Sequence, residues 1–260
     1  MTLSRQDLAD LRRAKDLLEN PGLAAKLTST LGKPFEKGMK MLPARVQKTV
    51  HSTAEAALMK ALNVAVTSLG TRRAGSSNDR MHRIAAAASG AAGGAFGIAA
   101  IGIELPLSTT LILRSIAEIA AAEGEDPRHI ETKLSCLSVF ALGSSRDARD
   151  NAAESGYFAA RTALASAVSE ATKYLAEKGL GKTGAPALVR LISLIAARFG
   201  VVVSQKTAAQ LVPVLGAAGG AIVNTIFIGH YQDMARGHFI VRRLEKTHGA
   251  EPVRLAYEKL

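Results

Sequence analysis

Two long stretches of the chain, residues 84–103 and 207–229, carry no Asp, Glu, Lys or Arg, and both contain the hexapeptide Gly-Ala-Ala-Gly-Gly-Ala, at 90–95 and again at 216–221. Small residues at helical spacing let two backbones approach closely, a device used most where helices associate without the hydrophobic effect, as in lipid. Gly90, Gly94 and Gly97 in the first run, with Gly216 and Gly220 in the second, are therefore candidates for close helix contact and for facing a lipid or other ligand. A helix needs roughly 20 apolar residues to cross about 30 Å of hydrocarbon, and both runs have the length. The first relies on Ala and Gly, however, and only the Leu, Ile, Phe and Val class is clearly favourable in a bilayer. The second is richer in Leu, Val and Ile but is interrupted by Pro213 and Asn224. Two readings stay open: close-packed central helices of a soluble domain, and reversible or partial membrane insertion.

Apolar residues make up 48 % of the 260, but aromatics only 4 %, with no Trp. An interior built from small side chains favours tightly packed helices over a β-sandwich, which wants more β-branched and aromatic residues. No credible strand alternation occurs. The expected architecture is all-α, a single helical domain in which two central Gly/Ala-rich helices are surrounded by amphipathic ones. Its parts are N-terminal amphipathic helices over 1–70, a first Gly/Ala hairpin over 84–123, middle helices over 126–200, and a second Gly/Ala helix with a polar C-terminal helix over 204–248.

Helix signals support this division. Ser4 followed by Asp7 marks a capped start, and residues 44–69 place Val46, Val50, Ala54, Ala57, Leu58, Ala61, Leu62 and Ala65 on one side of a longer helix. Pro106 predicts a break, with a new helix over 107–123 ending at Gly124. Asp126 is expected to cap a helix with Pro127 in its first turn, running to Gly143. Further helices are expected over 153–178 and 186–199, with Ser204 capping the next, and a separate polar helix over 230–248 is stopped by Gly249.

The formal net charge of +11 implies an anionic partner. Arg72, Arg73, Arg80 and Arg83 lie directly before the first uncharged run and are the candidates for contact with anionic headgroups. Basic residues are otherwise dispersed, and few aromatics are available to stack bases, so specific nucleic-acid binding is not expected. Cys136 is the one cysteine. It has no intrachain partner, which suits a reducing compartment. The first twenty residues lack the apolar core of a secretory signal. The expected location is cytoplasmic, peripheral or partially inserted at the inner membrane.

Glu104 is the only charged residue between Arg83 and Arg114. A carboxylate in such a stretch must be paired, protonated or at an interface. The simplest expectation is that it caps the helix beginning at Pro106 or pairs with Arg114; the functional alternative puts the two in a lipid- or ligand-facing cavity. His230 and Asp233 share a helix face at i, i+3 and are candidate metal ligands. His238, two turns on, lies about 12 Å away at roughly 1.5 Å per residue and cannot complete their site. Gly181-Lys182-Thr183 lacks the upstream Gly and the strand of a phosphate loop, and no cofactor is expected.

The chain resembles the EcsC family of bacterial proteins. The resemblance rests on Glu104-Leu105-Pro106-Leu107 and the ten residues that follow, on Gly124-Glu125-Asp126, on Phe140-Ala141-Leu142-Gly143, and on residues 227–239, Phe-Ile-Gly-His-Tyr-Gln-Asp-Met-Ala-Arg-Gly-His-Phe. It implies a helical, Gly-rich, membrane-associated protein with an envelope-related role and carries over no catalytic residues. The segment before residue 84 matches none of these motifs. The expected function is membrane or lipid association, non-catalytic, with membrane lipids or a membrane protein as partner and homo-oligomer formation open. The alternatives are a metal-dependent enzyme using carboxylate and His side chains, and a helical accessory protein of a membrane transporter.

Overall fold

The computed structural model describes residues 3–19, 22–40, 42–69, 101–142, 156–180, 184–210 and 216–260. Among them are ten α-helices and no strand: α1 (Arg5–Glu19), α2 (Leu23–Leu31), α3 (Lys33–Lys40), α4 (Ala44–Ser68), α5 (Ile101–Ala122), α6 (Ile130–Ser138), α7 (Gly156–Lys178), α8 (Pro186–Gln210), α9 (Gly216–His248) and α10 (Ala250–Lys259). Gly90, Gly94, Gly97, Arg72, Arg73, Arg80 and Arg83 lie outside the described residues.

Helix α4 sits against α5, α6 and α8. Val50, Ala54, Ala57, Leu58, Ala61, Leu62 and Ala65 are all buried, the face that the 3.6-residue period predicts. Four of the seven are Ala, so neighbouring helices approach closely. The few aromatics concentrate where larger volumes need filling. Phe140, Phe199, Phe227 and Tyr231 meet with ring centroids 5.1–6.3 Å apart, spacings in the favourable range for aromatic pairs.

The N-terminal start is a reciprocal capping box. The Asp7 amide donates to Ser4 Oγ at 3.1 Å, and the Ser4 amide donates to Asp7 Oδ2 at 3.1 Å. Gly124 holds φ of 85° two residues after α5, and Gly179 and Gly249 hold 61° and 89° directly after α7 and α9, a backbone region in which Gly has no steric penalty.

Three expected boundaries differ. Pro106 does not break a helix: α5 begins at Ile101 and runs through it. The proline ring sits opposite the carbonyl of Gly102, an exposed residue in the first turn, where the lost amide bond is least costly. Ser204 caps nothing, since α8 is continuous from Pro186 to Gln210. The second Gly/Ala run from Gly216 onward and the polar segment after it form one helix, the 33-residue α9, while 207–210 end α8. In addition, Asp126 accepts from the amide and guanidinium of Arg128, organising the turn, and α6 begins only at Ile130.

Among the described residues two glycines stand where helices approach closely. A Cβ on Gly237 of α9 would lie 2.6 Å from Leu18 Cγ and 2.9 Å from the Ala14 carbonyl oxygen of α1. A Cβ on Gly38 of α3 would collide with the Ala208 carbonyl oxygen of α8.

Candidate functional site

Helices α5 and α9 run parallel and in register. Gln232 Nε2 donates to Ser115 Oγ at 2.8 Å and Arg242 Nε to Glu125 Oε1 at 3.0 Å, with the same sequence offset of 117 in both pairs. Continued back along both helices, that register sets Ile222 level with Leu105. One end of the bundle thus gathers the start of α5, the first turns of α9 and, through Glu104, the last turn of α8.

Glu104 is buried there, but its partner is not Arg114. Lys206 Nζ of α8 lies 2.6 Å from Glu104 Oε1, and Gln210 Nε2 donates to Oε2 at 3.2 Å. Both ionic side chains are removed from water, at 3 % exposed for Lys206 and 7 % for Glu104. The ammonium also stands 4.6 Å above the Phe227 ring of α9, a cation–π contact that partly replaces lost hydration. Burial pulls the Lys206 pKa below the ordinary lysine value, and the facing carboxylate works in the opposite direction. Arg114, half-buried on α5, does not join this pair.

Lys206 was legible but overlooked. Between Arg198 and Asp233 it is the only Asp, Glu, Lys or Arg, just as Glu104 is alone between Arg83 and Arg114. Two isolated charges of opposite sign in two apolar stretches each require a partner, and each is the partner the other requires.

Three apolar side chains at this end of the bundle are exposed. Ile103 is 81 % exposed, Leu107 49 % and Ile222 44 %. Ile103 and Leu107 are four apart and share one face of α5. Two helices are long and apolar enough to cross a membrane by length and composition: Gly102–Ala122, with mean hydropathy 1.3, and Pro186–Gln210, with 1.9. They are the helices that Glu104 and Lys206 join.

The other predicted positions lie elsewhere. Gly220 is buried in the first turns of α9, which Gly216 opens. Asp233 Oδ2 accepts from Lys26 Nζ of α2 at 2.7 Å, and Asp233 Oδ1 lies 3.5 Å from Arg236. His230 is buried on the same helix. Among the described residues no group of three His, Cys, Asp and Glu side chains is placed to hold a metal ion. Asp233 instead ties α2 to α9, while Arg243 ties α9 to α1 through Asp10 and to Glu123 after α5, at 2.8 and 2.9 Å.

Glu125 anchors the opposite end of α5. It is buried and accepts from Arg242 at 3.0 Å, Lys246 at 2.9 Å and the Thr132 hydroxyl at 3.1 Å. Burial raises its pKa, but the two cations outweigh burial and hold it below the usual glutamate value. The motif segments 104–117 and 227–239 are therefore in contact through Ser115 and Gln232, and Glu125 of 124–126 meets Arg242, three residues beyond the later motif.

Fold and site together define an all-α protein whose apolar helices are pinned by buried ion pairs and end in an exposed apolar surface. The model of the EcsC protein family matches residues 5–244, and the chain belongs to that family. The match includes the segment before residue 84, in which the motifs alone showed nothing of the family. No curated protein and no solved structure matches the chain.

Proposed function

We propose that this protein associates with membrane surfaces through the apolar end of the bundle. The observation that carries the reading is the exposure of Ile103, Leu107 and Ile222 at the point where the chain enters α5 from the uncharged run 84–100, itself preceded by Arg72, Arg73, Arg80 and Arg83. Isolated exposed apolar side chains are ordinary, but several gathered on one rim are a contact surface. Apolar contact combined with arginines for anionic headgroups is the two-part anchoring that peripheral membrane proteins use. The net charge of +11 acts in the same direction. In this reading the role is that of a binding protein at the cytoplasmic face of the inner membrane, and the buried Glu104–Lys206 pair keeps α5 and α8 assembled when the end contacts lipid.

Flotation with neutral and with anionic vesicles at low salt tests this. The protein is expected to float with anionic vesicles, and both Ile103→Asp with Leu107→Asp and the replacement of the four arginines by Gln are expected to return it to the soluble fraction. Full recovery of the wild type in the soluble fraction with both vesicle types overturns the reading.

A further inference from the structure

A cleft of about 340 Å³ opens between α6, α7 and the C-terminal part of α9, within the size range of small-ligand sites. Glu125 follows α5, whereas Glu104 lies in its first turn; at about 1.5 Å per residue the cleft is some 30 Å from the apolar end. It is thus independent of the proposed membrane contact.

Its lining is mixed. Leu142, Phe158, Leu164 and Val168 supply apolar surface and Ser135, His238, Arg161 and Arg242 polar groups, while the carboxylates of Glu131, Glu245 and Glu251 also reach it. Both guanidinia are held by carboxylates, Arg242 by the buried Glu125 and Arg161 by Glu245, which also lines the cleft. Arg161 makes two bonds to Glu245, at 2.8 and 2.9 Å, and Arg242 donates to Glu125 at 3.0 Å. The remaining partner of Arg242 is Glu131, at 3.0 Å, whose side chain is 67 % exposed. An exposed pair of that kind contributes little, so a ligand anion can take its place while Glu125 keeps the guanidinium aimed.

A buried relay sets the polarity of the floor. Arg161 Nη1 donates to the Tyr157 oxygen at 3.3 Å, the Tyr157 hydroxyl is 3.0 Å from His238 Nδ1, and His238 Nε2 is 2.9 Å from Ser135 Oγ. We assign the Tyr157 hydroxyl as donor to Nδ1, so that Nε2 carries hydrogen and donates to Ser135 and the Ser135 proton is left for the cleft. A Ser–His pair invites comparison with a nucleophile and its base, but Arg161 rather than a carboxylate stands behind the relay, and burial, Arg161 and Arg242 all hold His238 neutral. The floor therefore presents donors, from Ser135, Arg161 and Arg242, to an acceptor.

We propose that this cleft binds a single-chain amphiphile with an anionic oxygen head, the head against Arg242, Arg161 and the Ser135 hydroxyl and the chain along Leu142, Phe158, Leu164 and Val168. Isothermal titration of the full chain with decyl phosphate, kept below its micelle concentration, tests the assignment. Inorganic phosphate and the uncharged decyl maltoside serve as comparison probes. Saturable one-to-one binding of decyl phosphate is expected, with both comparison probes weaker by about tenfold or more. Ala165 is an exposed lining residue, so Ala165→Phe fills the chain side without removing packing and is expected to weaken binding about tenfold. Glu131→Gln removes the competing carboxylate and is expected to tighten binding about threefold, a gain that a purely structural role does not produce. The proposal is overturned if wild type shows no saturable binding, if folded Ala165→Phe binds as wild type, if Glu131→Gln weakens binding, or if either comparison probe binds as tightly. Vesicle flotation of Ala165→Phe is expected to match wild type, which keeps this outcome separate from that of the membrane reading.

Discussion

Replacing Lys206 by Met tests the central ionic contact most directly. Met keeps the length and much of the volume of the lysine stem and can still touch the Phe227 ring through sulfur, so the packing change is small. The electrostatic change is large. Glu104, 7 % exposed, would retain only the Gln210 amide at 3.2 Å among the contacts described above. Removing one member of a buried ion pair costs about 3–5 kcal/mol because the other charge is stranded, far more than losing an exposed pair. Adding Glu104→Gln removes the stranded charge, and the double variant is expected to lie within about 1–2 kcal/mol of wild type. The single variant is thus less stable than the double, a non-additivity that a surface pair cannot produce. Urea unfolding at neutral pH, followed by far-UV circular dichroism in the absence of lipid, measures both. A single-variant cost below about 1 kcal/mol, with the double variant no better, would refute the argument that burial governs this pair.

Two further outcomes follow from the packing and the polar relay. His238 is held well below the ordinary histidine pKa by burial, then by Arg161 and Arg242. The unfolded chain therefore binds a proton near pH 6.5 that the folded chain does not. The stability contribution is complete above that pH and is lost as the pH falls, with a slope from this group of up to about 1.4 kcal/mol per pH unit. His238→Asn, compared with wild type by urea unfolding between pH 7 and 5, is expected to show the shallower decline; equal slopes would contradict the assignment. Gly38→Ala is expected to destabilise by about 2 kcal/mol through overpacking against the Ala208 carbonyl. Gly102→Ala, with open space around the added Cβ, is expected to be neutral or to stabilise by up to about 1 kcal/mol; thermal or urea midpoints of the two variants moving together would contradict the close-approach geometry.

Local physics determined much of this protein from sequence. The 3.6-residue recurrence of Ala and Leu over 44–69 specified both a helix and its buried face, because burial of one stripe is what stabilises an amphipathic helix. The Ser4–Asp7 box and the glycines at 124, 179 and 249 marked ends because capping and positive φ depend on a few adjacent residues. Family membership was legible for the same reason: motif residues are contiguous in the chain. Sequence also exposed Glu104 as a charge in need of a partner.

Tertiary structure decided which partner. Lys206 and Gln210 reach Glu104 from across 102 and 106 residues of chain, and no local rule prefers them to Arg114, ten residues away. The same holds for glycine. Gly38 and Gly237 are described positions at which a Cβ would strike another helix, because close approach depends on where helices cross. The relay from Arg161 through Tyr157 and His238 to Ser135 joins α7, α9 and α6. It begins at an arginine that sequence spacing never placed near a histidine.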